Sequence, residues 1–126
     1  MISKFLVFYQ NENSSSKKAK EFLESYGFEV QEAKDKLVAK ATKFTFDITI
    51  NKAPQVQVEA KEIGKNSPYK QEMNLCNACF EVRIENLDKA LDEINTLMEI
   101  QGALQDASKG YLFLPWNDSL SEPYLD

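Results

Sequence analysis

The stretch Phe44-Thr45-Phe46-Asp47-Ile48-Thr49-Ile50 alternates large apolar residues with polar ones over seven positions. Successive side chains of an extended chain point to opposite faces, so Phe44, Phe46, Ile48 and Ile50 form one apolar surface, and Thr45, Asp47 and Thr49 face the other way. Strands of this type belong to antiparallel sheets with one face on a core and one in water. The neighbouring sequence extends the pattern. Phe28 and Val30 alternate with Glu29 and Gln31, and Asp35-Lys36 marks a turn into Leu37-Val38-Ala39. After the turn Asn51-Lys52-Ala53-Pro54, Val56, Val58 and Ala60 alternate with Gln57, Glu59 and Lys61, which predicts a further strand. Short turns between alternating segments describe an antiparallel meander.

On the N-terminal side, Phe5-Leu6-Val7-Phe8-Tyr9 is apolar throughout and suits a central strand covered on both faces. Ser14-Ser15-Ser16 offers N-cap hydroxyls to a helix whose Ala19, Phe22, Leu23 and Tyr26 make one stripe, with Gly27 placed to end it. On the C-terminal side, residues 64–75 show no clear period and predict the longest loop, while Phe80-Glu81-Val82-Arg83-Ile84 returns as a strand. Asn86 can cap a long helix running to about Lys109, with Leu87, Ala90, Leu91, Ile94, Leu97, Met98 and Leu104 as a broad apolar face. Lys89 and Glu93 stand i, i+4 apart as a surface pair, and Gly102 marks a kink or a close contact. Gly110 ends the helix, and Tyr111-Leu112-Phe113-Leu114 is a last strand halted by Pro115. The expected order is β-α-β-β-β-β-β-α-β: one α+β domain over residues 1–126, with a mostly antiparallel sheet of six to seven strands and two helices on one face. Residues 117–126 read as a mobile acidic tail.

Composition narrows the function. A chain of 126 residues with 43% hydrophobic content can bury a core without disulfides or a structural metal. No apolar run reaches the roughly 18 residues needed to span a bilayer, and the apolar start at Phe5 to Tyr9 has no small-residue cleavage site after it. A cytoplasmic protein with reduced thiols is therefore expected. Net charge is −5 and unevenly placed: residues 1–63 sum to +1 and residues 64–126 to −6. Nucleic acid and anionic membranes need a basic face, so the acidic half favours a basic protein partner.

Catalytic readings are few. The chain has no His, the commonest acid–base group near neutral pH and a member of most nucleophilic triads. Cys76-Asn77-Ala78-Cys79 has dithiol spacing, but no third Cys or His completes a zinc site, and it precedes a predicted strand where a redox pair needs a helix N-terminus. Asp88 and Asp92 share a helix face without a cation-binding loop beside them. Four single Gly residues form no phosphate-binding loop. No catalytic, cofactor-binding or metal-binding residue is assigned. Two alternatives stand beside this reading. One is a small enzyme using Cys76 or Cys79 as nucleophile, or Asp88 and Asp92 to hold Mg²⁺. The other is a homodimeric regulatory or ligand-sensing domain paired through sheet edges.

The acidic second half ends in Tyr111, Phe113, Trp116 and Tyr124, interspersed with Asp118, Glu122 and Asp126. Exposed Trp and Tyr often anchor protein interfaces. Glu85, Asp88, Asp92, Glu99, Trp116, Asp118 and Tyr124 are accordingly the candidate partner-binding residues. Small, acidic, leaderless and without catalytic groups, the chain resembles bacterial immunity proteins that neutralise toxin domains, nucleases above all. The resemblance is one of overall character, carried by no motif, so no residue role transfers from it. It implies tight binding of a basic toxin domain, steered by opposite charge.

Overall fold

The computed structural model describes residues 3–34 and 36–123. Its elements are β1 (Ser3–Tyr9), α1 (Ser16–Ser25), β2 (Glu29–Ala33), β3 (Lys36–Lys40), β4 (Thr45–Asn51), α2 (Pro54–Gly64), α3 (Lys70–Asn74), β5 (Ala78–Ile84), α4 (Leu87–Asp92), α5 (Ile94–Ser108), β6 (Tyr111–Leu114) and β7 (Ser119–Ser121). The seven strands make one open sheet in the order β2-β3-β4-β5-β1-β6-β7. Every pairing is antiparallel. The fold is α+β, as the alternation of residues 44–50 predicts.

The period of two sorts the side chains. Phe5, Val7 and Tyr9 of β1, Ala78, Phe80, Val82 and Ile84 of β5, Phe46 and Ile48 of β4, and Leu37 and Ala39 of β3 point to one face. They pack there against Ala19 and Leu23 of α1 and Leu97, Ile100, Ala103 and Leu104 of α5. Leu6 and Phe8 point the other way, with Cys79, against Val56 and Ala60 of α2 and Met73 of α3. The uniformly apolar run of β1 is thus buried from both sides, with Phe5, Val7 and Phe8 all fully inaccessible.

Local signals set the helix boundaries. The Ser15 hydroxyl accepts a hydrogen bond from the Lys18 backbone N–H (3.1 Å), and Asn86 does the same for Lys89 (3.1 Å), each satisfying a donor that the first turn leaves free. Gly27 takes φ +98°, a left-handed conformation open to Gly at no steric cost, and turns the chain from α1 into β2.

Three expectations are corrected. Residues 54–64 form a helix where a strand was expected. Val56 and Ala60 fit a period of two but are also one helical turn apart, and Gly64 continues that series. All three are buried while Val58 between them is 68% exposed. Pro54 opens the helix at its first position, where its missing N–H costs nothing. The loop expected at 64–75 holds α3, which with α2 covers the second sheet face, so helices lie on both sides of the sheet. The long helix from Asn86 is broken at Glu93 (φ −110°, ψ 56°), and no Lys89–Glu93 pair forms. Instead Glu93 binds Lys43 of the β3–β4 loop at 2.7 Å, and Lys89 sits 5.7 Å from the centre of the Phe44 ring. Within the expected tail, Ser119–Ser121 pairs with β6. Tyr124, Asp126 and Asp35 lie outside the described residues. No helix among the described residues is long and apolar enough to cross a membrane.

Candidate protein-docking surface

A helix on a sheet buries one arc of its circumference. The seven apolar positions read along residues 87–104 span more than that arc. Ala90, Leu97 and Leu104 are buried and Leu87 half-buried, whereas Leu91, Ile94 and Met98 are 40%, 45% and 57% exposed. Ile94 and Met98 lie one turn apart on the same side of α5, and Leu91 precedes them across the Glu93 break. Only two other large hydrophobics among the described residues are as exposed, Val58 and Leu75, and both belong to the α2–α3 side. Three of the five exposed large hydrophobics among the described residues thus lie on α4 and α5.

Met98 leads into a groove of about 1020 Å³ along the outer side of α5. Phe22 of α1 and Tyr26, which caps that helix's C-terminus, line it with Gly102, Asp106 and Pro123. Gly102 opens the groove by having no side chain: a Cβ there would meet the Tyr26 hydroxyl at 3.7 Å, an ordinary contact, so neither a kink nor crowding explains it. The Tyr26 hydroxyl donates to Asp106 Oδ2, tying α1 to α5 across the groove. Gln105 is buried, and its side-chain amide donates to the carbonyls of Gly110, Ser121 and Glu122 at 3.2–3.4 Å, fixing the C-terminal segment beside the groove.

The acids foreseen as partner-binding surround this surface. Asp88 and Asp92 of α4 are exposed next to Leu91, and Glu99 is exposed next to Met98 and lines the groove. Glu85 is exposed where the chain leaves β5. Register places the Trp116 turn at the same end of the sheet. Ser3 pairs with Ile84 and Leu6 with Phe113, so β6 runs past β1 towards the point where β5 exits. Trp116 is half-buried and packs on the main core, while Asp118, exposed in the left-handed conformation (φ 55°), tips the turn into β7. Glu85, Asp88, Asp92, Trp116 and Asp118 thus belong to one end of the molecule, and Glu99 lies further along the groove. Sequence reasoning missed the apolar strip itself, because periodicity marks an apolar arc without saying which edge of it stays outside.

The two thiols sit elsewhere, in the second core between α2–α3 and the sheet, and both are buried. Cys76 Sγ donates to the Glu72 carbonyl and Cys79 Sγ to the Phe80 carbonyl, each at 3.5 Å. Burial, reinforced by Glu72, pushes the Cys76 thiol up to about 12, and burial pushes Cys79 well above its ordinary value. Neither is activated as a thiolate, and no helix opens at the pair. Burial also raises the Tyr9 phenol. Unfolding lets these groups lose protons that the folded chain retains, so their contribution is intact below the unfolded thiol pKa of about 8.5. It is lost as pH climbs towards the folded values. The urea midpoint is expected to fall steeply from about pH 8 to about pH 11, and less steeply in Cys76→Ala. Among the described residues no group of three potential metal ligands converges, and Asp88 and Asp92 are solvent-facing. Comparison with protein-family models, curated proteins and solved structures returns no match, so the site is read from its own geometry.

Proposed function

We propose that this chain is a protein-binding module that captures and neutralises a basic protein domain in the cytosol, in the manner of the immunity proteins it resembles. One observation carries the reading: Leu91 of α4 and Ile94 and Met98 of α5 are exposed with the exposed acids Asp88, Asp92 and Glu99 close to them along the two helices, and Met98 and Glu99 line a groove. Apolar anchors inside a charged rim are the anatomy of a protein interface, in which the anchors supply most of the affinity and the rim supplies steering and selection. The rim here is acidic, and the whole second half of the chain carries −6, so a partner presenting Lys and Arg around an apolar protrusion is the best electrostatic match. Glu85 and Asp118 extend the acidic field towards the half-buried Trp116 at the same end of the sheet.

The test compares three baits in affinity capture from native lysate, followed by titration of the captured protein. These are the unaltered chain, Ile94→Lys/Met98→Lys, and Asp88→Lys/Asp92→Lys/Glu99→Lys. All five positions are exposed, so the fold should tolerate the changes. Each multiple variant is expected to weaken a basic partner by roughly 10- to 100-fold, and the triple variant should also flatten the dependence of association rate on salt. A partner that binds all three baits equally, or one that is acidic, sinks the proposal.

A further inference from the structure

Half of the second sheet face has no helix over it. α2 and α3 cover Leu6, Phe8 and Cys79, while the outward side chains of β2, β3, β4 and the neighbouring ends of β5 and β1 lie beyond them. Register arranges that open surface. Lys4 faces Arg83 across β1 and β5, Asp47 faces Arg83 across β4 and β5, and Thr49 faces Glu81. Like charges set directly opposite on neighbouring strands cost stability, and any polar residue would serve on a wet face, so the Lys4–Arg83 pair calls for an explanation. The nearby acids do not supply one. Glu81 accepts from the Asn51 side-chain amide at 3.2 Å, and Asp47 has its Oδ1 3.9 Å from Lys36. Among the described residues neither Lys4 nor Arg83 makes a side-chain hydrogen bond or an ion pair within 4 Å. The two cations border a depression of about 490 Å³ whose lining is completed by Ser3, Thr49 and Glu81.

We propose that this depression binds a small phosphate monoester. The Arg83 guanidinium presents a planar fork of donors matched to two phosphate oxygens, and the Lys4 ammonium supplies the second positive charge that a dianion needs. The Thr49 hydroxyl adds a neutral donor. Glu81 is out of place for a bare anion but suits a ligand that also offers a donor, so the phosphate's carrier bears a hydroxyl or amino group. The volume, well above that of a phosphate ion and within the range of small-molecule sites, leaves room for that carrier. This site is on the sheet face opposite α1 and α5 and does not depend on the docking surface.

The experiment is an NMR titration of the full chain at constant ionic strength with inorganic phosphate, glycerol phosphate, sulfate and acetate. It follows the Arg83 side-chain N–H and the backbone amides of Lys4, Thr49 and Glu81. Glycerol phosphate is expected to give saturable shifts confined to these groups, tighter than acetate by about tenfold or more. Arg83→Gln and Lys4→Gln should each lose that binding, and Glu81→Gln should erase the advantage of glycerol phosphate over phosphate. Both cations are exposed, so the Gln variants should fold, and an unchanged amide spectrum elsewhere checks this. Non-saturating shifts, shifts unchanged in the Gln variants, equal response to acetate, or a response spread over Lys17, Lys18 and Lys20 would overturn the proposal. So would a site that ignores every small anion and responds only to an acidic polypeptide.

Discussion

Truncation of Phe80 to Ala is expected to cost about 3–5 kcal/mol, the most damaging single shortening of a side chain in this molecule. Phe80 lies in β5 between Val7 of β1 and Ile50 of β4, is wholly inaccessible, and stacks on Tyr9 with ring centroids 4.5 Å apart. Two terms add: the ring's transfer free energy, and the void left where neighbouring strands cannot close in because their hydrogen-bond ladders hold them apart. The Tyr9 ring also loses a stacking partner while its hydroxyl, buried without a hydrogen bond among the described residues, gains nothing. Against a total of about 5–15 kcal/mol for a domain, this removes a large share of stability. Thermal unfolding should move down by roughly 10–20 °C. Phe80→Leu should lose much less. Equal effects of Ala and Leu in calorimetry would show that the site is not close-packed.

Replacement of Gly110 by Ala is expected to destabilise the chain by about 3 kcal/mol, although it adds only one methyl group. Its Cβ would lie 2.6 Å from Val7 Cγ1, 2.7 Å from Ser108 Oγ and 2.9 Å from the Phe8 carbonyl oxygen. Val7 is confined in the core, and Phe8 belongs to the β1–β6 ladder, where it faces Tyr111. Either β6 shifts away from β1 or the α5–β6 connection deforms. The left-handed turn that ends α5 is made one residue earlier by Lys109 (φ 54°), so Gly110 is needed for closeness alone. Gly102→Ala provides the contrast: its methyl has room beneath Tyr26, and removing a mid-helix Gly should stabilise by up to about 1 kcal/mol. Chemical denaturation of the two variants checks the opposite signs, and a destabilised Gly102→Ala would mean that the groove floor is tighter than its distances imply.

The sheet was legible because its strands carry their period openly. Residues 44–50 alternate, residues 5–9 do not, and each pattern matches one covered face or two. The segment 54–64 misled because Val56 and Ala60 fit both periods, and the deciding residue, Val58, reveals its exposure only once folded. Pro54 was the available signal, since a Pro so placed starts helices as readily as it ends turns. The break at Glu93 has no Pro or Gly to announce it. Glu93 there pairs with Lys43 and Lys89 sits over Phe44, both some fifty residues earlier, and a local reading has no access to such contacts. The candidate site divides along the same line. Its acids could be named from charge distribution, but its apolar anchors were indistinguishable from core, and the Lys4–Arg83 apposition exists only through strand register.

The position of β1 bears on how the molecule comes into being. This most apolar strand is synthesised before its partners β5 and β6, which follow some seventy and a hundred residues later. The hairpins β2–β3–β4 and the helix α1 can form on the nascent chain while Phe5 to Tyr9 has no strand to join. Closure of the sheet waits until β5 and β6 have been made, and until then a sticky segment must be shielded, either by collapse onto α1 or by a chaperone.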